Sequence, residues 1–242
     1  MYKKYSNKFM CFSPPVMLVT FFIEFGLVFY TLWRYKLTTL SRLAAVFLMC
    51  LGIFQLAEYM ICGGLGLGHV EWVQLGYAAI TALPALGLHM TGIIAKKQIK
   101  PLLIFAYATT AAYMTYFIAV GPSIITHECA PNYTVFNLAN NGYLLYGLFY
   151  YGWLLLTVGL ATLWARQQPK RAAALRWMVA GYAVFIVPTT IANMLDPRTI
   201  AAIPSIMCGF AVLCALILVG RVLPLAKVPI ARALDGPQQR SA

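Results

Sequence analysis

Charge is what this sequence has least of: 10% of its 242 residues are Asp, Glu, Lys or Arg, and only six are acidic. A soluble domain carries about a quarter, so a chain this poor in charge, and 62% hydrophobic, falls outside that class. Histidine is nearly as scarce, with three in the chain. That is too few for a His-rich zinc hydrolase of the seven-span kind, and no two are paired at helical spacing. No HExxH, CxxC, GxSxG or Walker-type loop is present, which removes the commonest metal, serine-nucleophile and nucleotide signatures. Six cysteines are too few for a disulfide scaffold, and most lie inside apolar runs, where a thiol serves as a small hydrophobe. The net charge of +12 does not imply nucleic acid, because the cations sit in loops and at helix ends rather than on one continuous face.

What is present is a series of apolar runs about 20 residues long, the length that crosses the hydrocarbon of a bilayer. They are placed at 15–33, 41–62, 72–95, 101–120, 142–165, 172–195 and 200–222. The expected fold class is all-α, an integral membrane bundle of seven transmembrane helices. Of the 18 basic residues, 14 fall on one side of that arrangement, in the first, third and fifth loops and at the C-terminal end. By the positive-inside rule the N-terminus is outside and the C-terminus cytoplasmic. Residues 1–9 read as a dispensable extension ahead of Met10, 10–225 as the transmembrane domain and 226–242 as a short cytoplasmic tail. The run 63–68, rich in glycine, reads as a flexible outer turn and not a phosphate loop, since no Lys-Ser/Thr follows it. Pro84, Pro188 and Pro204 fall inside spans and are expected to kink them. The last span contains no lysine, so a retinal Schiff base is excluded.

Against this background the two acids inside spans stand out. A carboxyl in a bilayer costs a few kcal/mol, ~3 on insertion scales, unless it is partnered, protonated or faces a wet cavity. Read as a helix, Gln55, Glu58 and Cys62 share one face of the second span, and Thr20, Glu24 and Thr31 share one face of the first. Glu58 lies in the outer third and Glu24 near the midplane. Tyr143, Tyr146, Tyr150 and Trp153 form a stripe down the fifth span, which packs the interior or walls an apolar pocket. Together these give an expected ligand-binding set of Gln55, Glu58, Glu24, Tyr146 and Tyr150. The plainer reading of Glu24 is a hydrogen-bonded core carboxyl, and that of His89 is a hydrogen bond to a neighbouring helix.

On the outer side lie Cys11, Cys62, His69, His127, Glu128, Cys129 and Asp196. Thiolate, imidazole and carboxylate together suit zinc or copper, giving Cys11, Glu58, His127 and Cys129 as a candidate metal set. The alternative is a disulfide between two of Cys11, Cys62 and Cys129, on a face that is oxidising in a bacterial envelope.

Met10-Cys11-Phe12-Ser13-Pro14, Gln55-x-x-Glu58 and the proline in the third span resemble a group of small bacterial polytopic proteins that begin Met-Cys-Phe-Ser. That resemblance carries no assigned activity, and it favours Met10 as the start. Trp72-x4-Tyr77-Ala78-Ala79 through Leu83-Pro84-x-Leu86-Gly87-Leu88-His89 is more loosely similar to the seven-span input region of bacterial sensor histidine kinases. This chain departs from those, because no kinase follows the last span, so the resemblance implies a separate signalling protein as partner. The expectation is therefore a multi-pass protein of the bacterial inner membrane with the lipid bilayer around it. It is read as receptor- or sensor-like, with an outward-facing pocket around Glu58 for a small molecule. A membrane-embedded enzyme, metal-dependent or not, and a proton-coupled carrier using Glu24 and Glu58 are the alternatives.

Overall fold

A computed structural model describes residues 14–62, 69–119, 124–129, 134–138 and 142–230. The helices are α1 (Pro14–Arg34), α2 (Thr39–Cys62), α3 (His69–Ala95), α4 (Lys100–Ala119), α5 (Gly142–Gln167), α6 (Pro169–Leu195) and α7 (Ile203–Ile217). A 3-10 turn, Pro197–Ala202, leads into α7, and a π-helical turn, Leu218–Val222, follows it. Seven segments are long and apolar enough to cross a membrane, the last running through these turns from Thr199 to Leu225. The chain is a multi-pass membrane protein. The expected spans agree with the helices to within a few residues, because each apolar run is bounded by charge, proline or glycine.

The hydrophobic centre lies along α2, α3 and α7. Helix α3 packs on α2, α4, α5 and α6, and is buried along most of its length. The side chains of Phe54, Tyr77, Ile80, Leu88, Met90, Leu154 and Tyr182 are sealed inside. Outward-facing leucines and isoleucines such as Ile104, Leu144 and Leu148 are exposed, as a lipid-facing surface requires.

The two ends of the bundle are closed differently. At the basic end, the Thr38 hydroxyl accepts from the Ser41 amide at 3.3 Å, and Ser41 Oγ donates to the Lys36 carbonyl at 2.7 Å, capping the start of α2. Helix α3 ends in a Schellman turn with Lys96 at the left-handed position (φ 49°), and Arg171 Nη1 donates to the Ile94 carbonyl at 2.9 Å. The Tyr35 hydroxyl donates to Val219 in the π turn at 3.3 Å, and the Lys36 amide donates to the Pro229 carbonyl at 2.8 Å. The tail expected to leave the bundle at 226 is thus held against the first loop as far as Ile230.

At the opposite end is an element that the all-α expectation does not contain. Strands β1 (Ile124–Cys129) and β2 (Thr134–Leu138) form an antiparallel hairpin between α4 and α5. It rests on the 3-10 turn before α7 and is tied to the end of α2 by a disulfide, Cys62–Cys129. The glycine-rich turn at 63–68 lies outside the described residues.

Two of the three prolines expected to kink a span lie inside helices, Pro84 in α3 and Pro188 in α6. Pro204 is different: it occupies the first turn of α7, where its missing N–H costs nothing, so it starts a helix and does not bend one.

Candidate functional site

The site is built from the end of α2 upward. Gln55 and Glu58 lie one turn apart on its buried face, each 2% exposed, and Glu24 on α1 is 0% exposed. Helix α1 packs beside Gly52, where an added Cβ would make an ordinary contact with the Glu24 Cβ at 3.8 Å. Glu58 is one and a half turns further toward the hairpin, and the two carboxyls are close enough to repel one another. Among the described residues they are the only buried side chains of an ionisable acid or base other than Cys and Tyr, so no buried cation offsets them.

Glu58 is covered by the hairpin and by α7. The Ser205 and Thr134 hydroxyls lie within hydrogen-bonding reach of its carboxyl. The Thr134 amide in turn donates to Ser205 Oγ at 3.0 Å, so the serine accepts from the hairpin and gives its one proton to the acid. Thr134 Oγ1 also lies 3.3 Å from Cys62 Sγ, but that sulfur is spent in the disulfide and has no proton to give. The threonine's single hydrogen goes to the stronger acceptor, the carboxyl. Donors are therefore aimed at one face of Glu58, while its Oε1 has no partner among the described residues. Both oxygens of Glu24, and Nε2 of Gln55, are in the same condition. Thr20, Glu24 and Thr31 do share a buried face, as their spacing predicts.

Next to this acid, where α3, α5 and the start of α7 meet, is a cavity of about 60 Å³, room for about four waters. Four tyrosines line it, Tyr77 from α3 and Tyr146, Tyr150 and Tyr151 from α5, with Ile80, Pro204, Met207 and Cys208 among the apolar remainder. The rings of Tyr77 and Tyr146 stand 5.8 Å apart, as do those of Tyr146 and Tyr150. Thr81 orients one of them. Its hydroxyl donates to the Tyr77 carbonyl at 2.6 Å, leaving its oxygen to accept from the Tyr146 hydroxyl at 3.0 Å. A second, single-water cavity of about 10 Å³ continues past Tyr150, Met207 and Cys208 toward Tyr182.

The expected ligand-binding set is therefore divided. Tyr146 and Tyr150 line the cavity, but Gln55, Glu58 and Glu24 do not. They are buried in the bundle outside its lining. The link between the two groups is Tyr77 and Cys208, which line the cavity and lie within electrostatic range of Glu58. Lower on the stripe, Trp153 turns to α4, where its Nε1 donates to Thr109 Oγ1 at 3.2 Å. Tyr143 has its side chain outside the described residues. His89 takes the plainer role, with Nδ1 3.0 Å from the Tyr107 hydroxyl.

The candidate metal set is not assembled as expected. Cys129 is bonded to Cys62, so its thiolate is unavailable to a metal while that bond stands. Cys11 and the side chain of His127 lie outside the described residues, and no group of three His, Cys, Asp or Glu among the described residues is placed to hold an ion. Of the two outer-face alternatives, the structure holds the disulfide.

Ser205 and Thr134 are the functional residues that the sequence does not single out. The available signal was weak: Ser205 is a lone hydroxyl directly after Pro204 in the apolar last span, and Thr134 ends the sequon-like run Asn132-Tyr133-Thr134. No family model, curated protein or solved structure matches this chain.

Proposed function

We propose that this protein is a receptor- or sensor-like protein of the bacterial inner membrane, with its hairpin end outside, that holds a small ligand in the aromatic cavity. The observation that carries the reading is the tyrosine-walled cavity standing against a buried carboxyl whose donors are already in place. Aromatic faces attract cations, and an acid behind the wall adds to the same field in a low-dielectric interior. The ligand that fits presents a small cationic or strongly hydrogen-bonding group. The disulfide suits an oxidising outer face, and the basic end suits the cytoplasm. An output, in this reading, passes to a separate signalling protein.

Benzylamine serves as a probe of this chemistry. It is expected to raise the unfolding temperature of the purified protein, and Glu58→Gln is expected to keep the fold while weakening the effect roughly tenfold or more, about 1.4 kcal/mol. An unchanged benzylamine response in Glu58→Gln sinks the reading.

The proton-coupled carrier has one observation in its favour: Glu24 and Glu58 are both sealed in the bundle with three unpartnered oxygens between them. The enzyme reading, by contrast, lost Cys129 from its ligand set to the disulfide.

A further inference from the structure

The rim of the aromatic cavity differs in chemistry from its floor. Tyr77, Ile80, Tyr146, Tyr150, Met207 and Cys208 are enclosed, whereas the lining contributed by Gly147 and Tyr151 on one side and Ile200 and Pro204 on the other is partly open. The mouth thus lies between α5 and the entry to α7, on the flank of the bundle. Among the described residues, no Asp, Glu, Lys, Arg or His occurs in the lining. Beside the mouth, Leu144 and Leu148 are each 65% exposed, and Ile200 is 46% exposed. Tyr146 and Tyr150 lie about one and two turns, ~6 and ~12 Å, into α5, which sets the opening below the helix end and beside the acyl chains. Gly147 lies on this rim beside open space: a Cβ placed there meets nothing within 4 Å.

We infer that the cavity is entered sideways from the leaflet on the hairpin side, and that its ligand is a bilayer-soluble molecule seating one small end among the tyrosines. This rests on the ligand-pocket reading above and adds the class of ligand and its route. A mouth onto water would be expected to carry polar or charged groups at its edge, and this one has an exposed isoleucine between lipid-facing leucines. At about 60 Å³ the cavity takes only one small end of the ligand, so the remainder stays in the lipid.

The test uses the full-length protein in phosphatidylcholine vesicles with an aryl diazirine on a dodecyl chain. After irradiation, adducts are mapped by peptide mass spectrometry. Labelling is expected on Tyr150, Tyr151 or Met207 in excess of that on the lipid-facing Leu148 and Leu155. Gly147→Leu places a side chain in the open mouth, favours the helix, and is expected to cut cavity labelling at least fivefold. Gly152→Leu, on the same helix and also in open space, is expected to leave it unchanged. Labelling that is no stronger in the cavity than on Leu148, or that survives Gly147→Leu, overturns the lateral route. Benzylamine separates the two failures. If it still binds while the lipophile does not label, the pocket stands and its entrance is aqueous; if neither engages, both readings fall.

Discussion

Replacing Cys62 and Cys129 together by serine is expected to cost about 2–4 kcal/mol of stability and to loosen the cover over Glu58. The bridge closes a loop of 67 residues that contains α3, α4 and strand β1. The loop-closure estimate for a free chain of that length is about 4 kcal/mol. The expected value lies lower in that range, because α3 and α4 remain inserted when the hairpin lifts, and so the freed chain is shorter. The disulfide also locates Thr134, which pairs with Cys129 across the hairpin and is 0% exposed. Without it, Thr134 leaves Ser205 and Glu58, and a buried carboxyl loses a donor. Unfolding in increasing SDS fraction, for the oxidised protein, the reduced protein and the double serine variant, measures the effect. Reduction and mutation are expected to agree, since Cys50, Cys208 and Cys214 are free in the oxidised protein. A change below about 0.5 kcal/mol would show that the hairpin is not held by this bond.

Gly87→Ala is expected to destabilise by about 1–3 kcal/mol, an overpacking cost unusual for so small a change. Gly87 lies on α3 directly opposite the Tyr182 ring on α6, and a Cβ there collides with the Tyr182 hydroxyl. The ring has nowhere to go, as Tyr182 is 1% exposed and packed edge-on to Phe185 at 5.8 Å. The remedy is specific. Tyr182 Oη has no hydrogen-bond partner among the described residues, so Tyr182→Phe removes an unsatisfied hydroxyl at little cost. Gly87→Ala in a Tyr182→Phe background is expected to recover most of the loss. Additive effects of the two changes would contradict the contact.

The spans were legible in the sequence because a bilayer imposes one length and one composition on every crossing element, and charge marks each end. The acids were legible for the same reason: Glu24 and Glu58 violate that composition, and both are buried as the expectation required. Their partners were not. Thr134 and Ser205 are 71 residues apart and meet only because the hairpin folds back over α7, a long-range contact that no local pattern encodes. The hairpin itself escaped notice because its strands are six and five residues long, within a segment flanked by Gly, Pro and Asn that reads as a loop. Pro204 was misread since a proline in an apolar run looks the same whether it kinks a helix or opens one; the 3-10 turn before it decides the matter. The aromatic stripe of α5 was visible as a stripe, but only α3 and α7 reveal that its upper half walls a cavity while Trp153 packs on α4. Tyr77, which lines that wall, stood out only within the resemblance motif, and Thr81, which orients Tyr146, carries no signal of its own in an apolar helix.

The whole reading depends on Glu58 being held inside the protein by Ser205 beneath the hairpin. A double-mutant cycle between Ser205→Ala and Glu58→Gln, read as unfolding free energy in SDS titrations, measures that directly. The expected coupling is about 1 kcal/mol or more, above the ~0.6 typical of hydrogen bonds between membrane helices, since the acceptor is a carboxyl and its cover is tied down. Two changes that simply add, within about 0.3 kcal/mol, would mean that serine and acid do not touch.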